Sequence, residues 1–237
     1  MRRYGQSEDG HLGEPVGGHV ITCPARFDED RLLVLWLAEI VGFSPADALI
    51  AREVPFMQGS NTKKPAGKID LVVAKTSTEG VLWHGLEIQA VYFSGKGMQS
   101  EFESLLDDTY ETPPFPTAIR RPDWRSSSAK RLMPQLQIKA PTLRRWGSKV
   151  AVAVDRPFFE AVGGPSPTPS HDLNDGDIIW LVPELVADQG QHRLFRWHWE
   201  VLTLEASTEK LLAAETIQRD VFEEILKSKL NPIEASP

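Results

Sequence analysis

The chain has a single cysteine, Cys23, among its 237 residues. That excludes an intrachain disulfide and any four-cysteine metal site, and suits a reducing cytoplasm better than secretion. The ordinary role for such a residue is that of a small buried hydrophobe. Long apolar runs are missing too. The longest, LLVLWLA at 32–38, falls far short of the roughly 20 residues of a membrane span. The opening MRRYGQSEDGHLGEPVGGHV has no apolar core, so it is not read as a secretory signal. No GxGxxG or Walker-type loop, GxSxG elbow or HExxH pair occurs, which removes support for a nucleotide cofactor, a serine hydrolase or a zinc protease. No internal repeat or coiled-coil pattern is present. The expectation is a soluble cytoplasmic protein with no membrane part.

Net positive charge is also lacking overall: the formal charge is −7, which argues against nucleic acid. Its distribution argues the other way. Between Thr117 and Arg156 stand ten basic residues (Arg120, Arg121, Arg125, Lys130, Arg131, Lys139, Arg144, Arg145, Lys149, Arg156) against Asp123 and Asp155. This local excess of eight leaves a net −15 for the rest. A basic surface on an acidic body suits contact with phosphate at one place; a solvated basic helix is the other account of the same charges.

Patterning predicts an α/β fold. DEDRLLVLWLAEIVGF reads as a buried helix with acids at its N-terminal end and Gly42 as its stop. VPFMQG (54–59), KIDLVVA (68–74) and VLWHGLEIQAVYF (81–93) read as strands, the last two joined by a KTSTEG turn. A short helix is expected around Ser100–Leu106. Helical spacing follows at Leu132, Leu136 and Lys139, with Pro141 forcing a break or kink. KVAVAVD (149–155) is a buried strand. After the loop GGPSPTPSHDLNDGD (163–177) come strand IIWLV and a strand with Phe195, Trp197, Trp199 and Val201 on one face. An amphipathic helix closes the chain, its face at Leu211, Leu212, Ile217, Val221 and Ile225 expected to be core. The reading is one domain over 1–237: a core at about 20–160 with a central mixed sheet flanked by helices, and a C-terminal strand and helix extension at about 164–237.

Polar groups inside two of these strands raise the question of chemistry. Alternation puts Lys68 with Asp70 on one face, and Glu87 with Gln89 on one face of the neighbouring strand. If the faces coincide, four polar groups converge. Two carboxylates and the intervening backbone carbonyl make a hard-oxygen site of the kind Mg²⁺ prefers. Such an ion can polarise a phosphoryl oxygen and generate hydroxide for attack on a phosphodiester. A solvated sheet face is the bland account, against which stands the apolar setting of Glu87 among Leu86, Ile88, Ala90 and Val91.

Asp70 with the triplet Glu87-Ile88-Gln89, between a helix and a later helix and strand, resembles the PD-(D/E)XK nuclease fold. More narrowly, CPARF, GKIDLVV, WHGLEIQAVYFSG and KRLMPQLQIKAPTLRRWGSKVAVAVDRPFF resemble the NotI restriction endonuclease family over roughly residues 20–160. The resemblance implies a Mg²⁺-dependent type II restriction endonuclease that cuts double-stranded DNA at a specific site. It also implies a homodimer and a cognate methyltransferase encoded separately, as in phage defence by restriction and modification. Ile69 replaces the proline of the fold's name, and Gln89 stands where many relatives carry lysine. Gln can orient water but supplies no charge and no base. The cation then comes from Lys68 or Lys139. The cysteine-bound metal site known in the family cannot form with one cysteine.

On this resemblance Asp70 and Glu87 hold the metal and Glu39, from the first helix, either joins them or lies on the surface. Gln135 and Lys139, four apart on one helix side, either meet the scissile phosphate or face solvent. Arg120, Arg121, Arg125, Lys130, Arg131, Arg144 and Arg145 hold DNA. The alternatives are a defence or repair nuclease of the same fold that recognises DNA structure or modification, and a catalytically silent DNA-binding protein.

Overall fold

The computed structural model describes residues 3–6, 12–62, 64–94, 99, 103, 106, 121–212 and 217–230. Strands β1 (Arg3–Gln6) and β2 (Leu12–Val16) form an antiparallel pair. A 3₁₀ segment, Pro24–Arg31, leads into helix α1 (Leu32–Ile40). Then come β3 (Leu49–Gln58), β4 (Pro65–Ser77) and β5 (Gly80–Ile88). Helix α2 (Trp124–Ser127), a π-helical turn (Ser128–Leu132) and α3 (Met133–Arg145) lead to β6 (Val150–Ala153) and α4 (Arg156–Ala161). Strands β7 (Ile178–Asp188) and β8 (Gln191–Leu202) and helices α5 (Leu204–Leu212) and α6 (Arg219–Lys229) complete the order.

Six strands form one sheet in chain order, β3-β4-β5-β6-β7-β8. The first three are an antiparallel meander, β5, β6 and β7 run parallel, and β8 returns antiparallel. Strand β6 explains the two-layer cover, since every residue of it is buried. Val150, Val152 and Val154 pack with Leu136, Ala140 and Leu143 of α3. Ala151 and Ala153 pack with Leu33, Trp36 and Leu37 of α1 on the other face. A parallel strand covered on both faces needs apolar residues at successive positions, which is what VAVA supplies.

Several local expectations are corrected. The first helix starts at Leu32 because Asp30 and Arg31 adopt left-handed φ values of 50° and 55°. The preceding acids make other bonds: Asp28 pairs with Arg52 and Glu29 accepts from the Leu194 amide. Gly42, at φ 75°, does stand just past the helix end. Pro141 does not break α3, which continues to Arg145. The β7/β8 register slips between Val182 and Pro183, leaving Trp197 unpaired between Arg196 and His198. Trp197 therefore packs on the α3 side and Trp199 on the α1 side, not on one face. Cys23 is exposed. Of the apolar C-terminal positions, Leu211 is buried, whereas Leu212, Ile217, Val221 and Ile225 are exposed. The helix expected around Ser100–Leu106 falls mainly outside the described residues; Gln99, Glu103 and Leu106 are helical.

Candidate active site

Strands β4 and β5 part company in the middle of the sheet. Their last pair in that direction is Leu71 opposite Leu86; beyond it β4 stays with β3, through Ile69 opposite Val54, while β5 stays with β6, through Glu87 opposite Val152. A parting leaves backbone amides without partners. The carboxylate of Asp70 fills the gap, its Oδ2 accepting from the Ile88 amide at 2.9 Å. Asp70 and Glu87 are brought together where the sheet opens.

Glu87 lies on the α3 side, beside Val152, and is only 2% exposed. Lys139 projects from α3 onto it, forming an ion pair with Oε2. The same ammonium donates to Gln135 Oε1 at 2.9 Å and lies 5.9 Å from the centre of the Phe56 ring. A chain of polar contacts thus runs from exposed Gln135 through buried Lys139 to Glu87. The other carboxylate oxygen, Oε1, is buried and meets no donor at hydrogen-bonding geometry among the described residues.

Burial pushes the Glu87 carboxyl up to about 7. The Lys139 charge opposes that rise, and the negative charge of Asp70 adds to it. A buried carboxyl beside a second carboxylate, with one oxygen left unsatisfied, fits the donor chemistry of a hard divalent cation. Among the described residues no three His, Cys, Asp or Glu side chains cluster. The protein therefore offers two carboxylates and main-chain oxygen, a sparse set that suits Mg²⁺, which retains water ligands.

The remaining sequence candidates fall in different places. Gln89, just past the end of β5, is buried, and its amide donates to the Ala90 carbonyl at 2.6 Å. Lys68 is exposed on β4 and pairs with Glu53 at 3.2 Å; it does not reach Glu87. Strict alternation along β4 fails here, Ile69 packing on the α3 side and Leu71 on the α1 side; opposite this point Glu53 sits at a left-handed φ of 52° and is absent from the β3/β4 pairs, whose register is the same on either side of it. Glu39 is not brought to the pair. Its carboxylate is bound at 2.6 Å by Arg196 of β8, the opposite edge of the sheet from β3. Arg121, Arg125, Lys130, Arg131 and Arg145 are exposed and have no carboxylate partner among the described residues. Arg131 lies over the Tyr92 ring at 3.7 Å. Arg144 is also exposed but pairs with Asp177 at 3.3 Å. Arg120 lies outside the described residues.

Sequence reasoning missed the structural role of Asp155. It is 1% exposed, caps α4 through the Phe158 amide at 3.0 Å, and accepts from the Ile21 amide. Its position before the Arg-Pro start of a short helix was the available signal. A cavity of about 380 Å³ lined by His19, Arg156, Glu160 and Glu184, among others, includes none of the residues around Asp70 and Glu87.

The model of the family described as restriction endonuclease NotI matches residues 6–196. The chain belongs to the NotI restriction endonuclease family. The matched region contains the whole of β3 to β7, α1 to α4, and each of Asp70, Glu87, Gln89, Gln135 and Lys139. Helices α5 and α6 and the end of β8 lie beyond it. No curated protein matches the chain. Membership of this NotI family makes DNA the substrate and phosphodiester cleavage the reaction class. No helix among the described residues is long and apolar enough to cross a membrane.

Proposed function

We propose that this NotI family member is a Mg²⁺-dependent type II restriction endonuclease with a PD-(D/E)XK core, cutting double-stranded DNA at a specific site. One observation carries the reading: Asp70 and Glu87 meet where β4 leaves β5, with the Lys139 ammonium on Glu87. The order α1, β3-β4-β5 meander, α3 and parallel β6 supports that core assignment.

Asp70 and Glu87 would hold the cation, with the Ile88 carbonyl as a further oxygen. Mg²⁺ supplies there a polarised phosphoryl oxygen and a water of lowered pKa. Asp70 is held by the Ile88 amide, so its carboxylate is oriented before substrate arrives. Lys139 takes the role that lysine plays at the Gln89 position in many relatives, bringing positive charge to the scissile phosphate from the helix instead of the strand. Gln135 keeps that ammonium in place through its amide oxygen. Gln89, its nitrogen fixed on Ala90, offers its amide oxygen to a water. Burial limits competing water and strengthens each of these interactions.

DNA phosphates would lie along α2 and α3, on Arg121, Arg125, Lys130, Arg131 and Arg145; Arg120, outside the described residues, joins them on its sequence alone. These contacts give affinity and register, and base reading falls to loops such as the one after Gly163. A palindromic target calls for two copies of the chain related by a two-fold axis. A cognate methyltransferase would protect the host's own sites.

Digestion of unmethylated phage DNA with Mg²⁺ tests the reading. Discrete, reproducible fragments support a site-specific enzyme. Smears or loss from DNA ends point to a structure- or end-directed nuclease, and intact DNA over varied base composition points to a silent binder.

A further inference from the structure

Strands β3 and β4 do not stop where β5 leaves them. Past Leu71 they run on as a two-stranded ribbon, from Val54 opposite Ile69 to Gln58 opposite Pro65, and among the described residues neither edge of it meets another strand. A two-stranded ribbon standing alone in water is marginally stable. This one is anchored at its base, where Ile69 is buried and Val54 and Phe56 pack with the core on the α3 side. Gly67 makes room for the Phe56 ring, since a Cβ there would lie 2.8 Å from it. The same ring lies 5.9 Å from the Lys139 ammonium. The ribbon is therefore fixed to the wall of the Asp70 and Glu87 site. Because β4 and β5 are antiparallel and β5 and β6 parallel, the ribbon, the end of β5 and the start of α3 all lie at one end of the sheet.

The tip of the ribbon is ordered and polar. Its turn is closed by the Gly59 amide, which donates to the Lys64 carbonyl at 2.9 Å. Gln58, Asn61 and Lys64 are exposed, and their side chains make no hydrogen bond or ion pair among the described residues. The stretch GSNTKKPAGK, 59–68, holds three lysines and no acid, although the chain outside 117–156 is acidic overall. Pro55 and Pro65 lack an N–H, which discourages the addition of a further strand. The free side chains are instead of the kinds that read bases: Asn and Gln match adenine N6 and N7, and Lys matches guanine O6 and N7. From Asp70 to Pro65 the strand covers about 17 Å, enough to carry the tip from a phosphate at the site into the adjoining groove. A major groove about 12 Å wide admits a two-stranded ribbon, and a minor groove of about 6 Å does not.

We propose that the β3–β4 ribbon enters the major groove of the DNA being cut and reads base edges there through Gln58, Asn61 and Lys64. The inference rests on the site-specific nuclease reading above and names residues that set its sequence preference.

The test is selection of bound duplexes from a randomised library by the full chain in Ca²⁺, which requires no cleavage. Wild type, Gln58→Ala, Asn61→Ala and Lys64→Ala are compared, with thermal unfolding measured beside each. The wild type is expected to select one motif. The tip variants are expected to unfold as the wild type does and to lose discrimination about tenfold at particular positions of that motif. Arg125→Ala, which removes a phosphate contact, is expected to bind every sequence more weakly with the motif unchanged. A second measurement reads the groove. Replacing the motif's purines one at a time by 7-deaza analogues, which lack the N7 acceptor, should weaken wild-type binding about tenfold at a position the tip reads and leave the matching tip variant unaffected. Selection of the unchanged motif by all three tip variants, with or without a uniform loss of affinity, overturns the ribbon's role while keeping a site-specific enzyme. Wild-type binding indifferent to every 7-deaza substitution overturns the major-groove placement. Absence of any selected motif in the wild type overturns the site-specific reading and the ribbon with it.

Discussion

Lys139 and Glu87, 52 residues apart in the chain, form a buried ion pair across the α3 and β5 layers. Neither charge is cheap to bury alone. Breaking such a pair from one side costs about 3–5 kcal/mol, whereas replacing both partners by apolar or neutral groups is close to neutral. Lys139→Met should therefore lower stability to urea at pH 8 by that order. Adding Glu87→Gln to it should restore most of the loss. If the double variant is as unstable as the sum of the singles, the two side chains are not energetically coupled.

The sign of the pH effect follows from burial. Glu87 in the folded chain holds its proton up to about 7, against 4.5 in the unfolded chain. Between those values the folded state binds more protons, so stability falls as pH rises through the window and levels off above it. Lys139→Met removes the charge that opposes this rise. The variant's loss should therefore be larger at pH 8 than at pH 6, which urea titration at the two values measures.

Cation binding competes with the same proton. Cleavage at low Mg²⁺ should climb with pH up to about 7 and then flatten, falling roughly tenfold per unit below the midpoint. Raising Mg²⁺ should move the midpoint down. A midpoint indifferent to Mg²⁺ concentration would separate Glu87 from the cation.

The exposed cations of α2 and α3 predict a salt signature. Arg125→Ala and Lys130→Ala should each flatten the dependence of log affinity on log salt by about 0.9 for each lost phosphate contact. Arg144→Ala should matter less, because Asp177 already holds that guanidinium. Filter binding in Ca²⁺ over a salt series reads the slopes directly.

Asp155 makes a purely structural prediction. Asp155→Ala removes the acceptor for both the Ile21 and Phe158 amides and should cost about 2 kcal/mol or more. Asp155→Asn, which keeps an acceptor, should cost less. Equal losses in the two variants would mean the capping bonds contribute little.

Much of this was legible before any coordinates. The β-branched run around Asp70, the apolar run around Glu87 and the all-apolar VAVA strand marked the sheet centre, because burial on both faces leaves few other compositions. Asp70 and Glu87 were legible as a pair for the same reason: carboxylates inside such runs need a partner. The choice between Lys68 and Lys139 was not legible. It depended on where β4 leaves β5 and on a left-handed Glu53, neither of which period-two alternation contains. The choice between the two places left open for Glu39 was not legible either, since it is Arg196 of β8 that takes its carboxylate at the surface. The π turn ahead of α3 and the bulge at Trp197 shift residues from one face to another, which a regular period cannot anticipate.

The central claim, that Asp70 and Glu87 hold the cation that cuts DNA, is tested most directly by Asp70→Asn and Glu87→Gln beside the wild type. Both substitutions preserve size, and the first still offers an amide oxygen to the Ile88 N–H. Unmethylated DNA with Mg²⁺ should yield discrete fragments only from the wild type, while both folded variants retain DNA binding within a few fold. Cleavage by either folded variant at the wild-type rate would contradict the account.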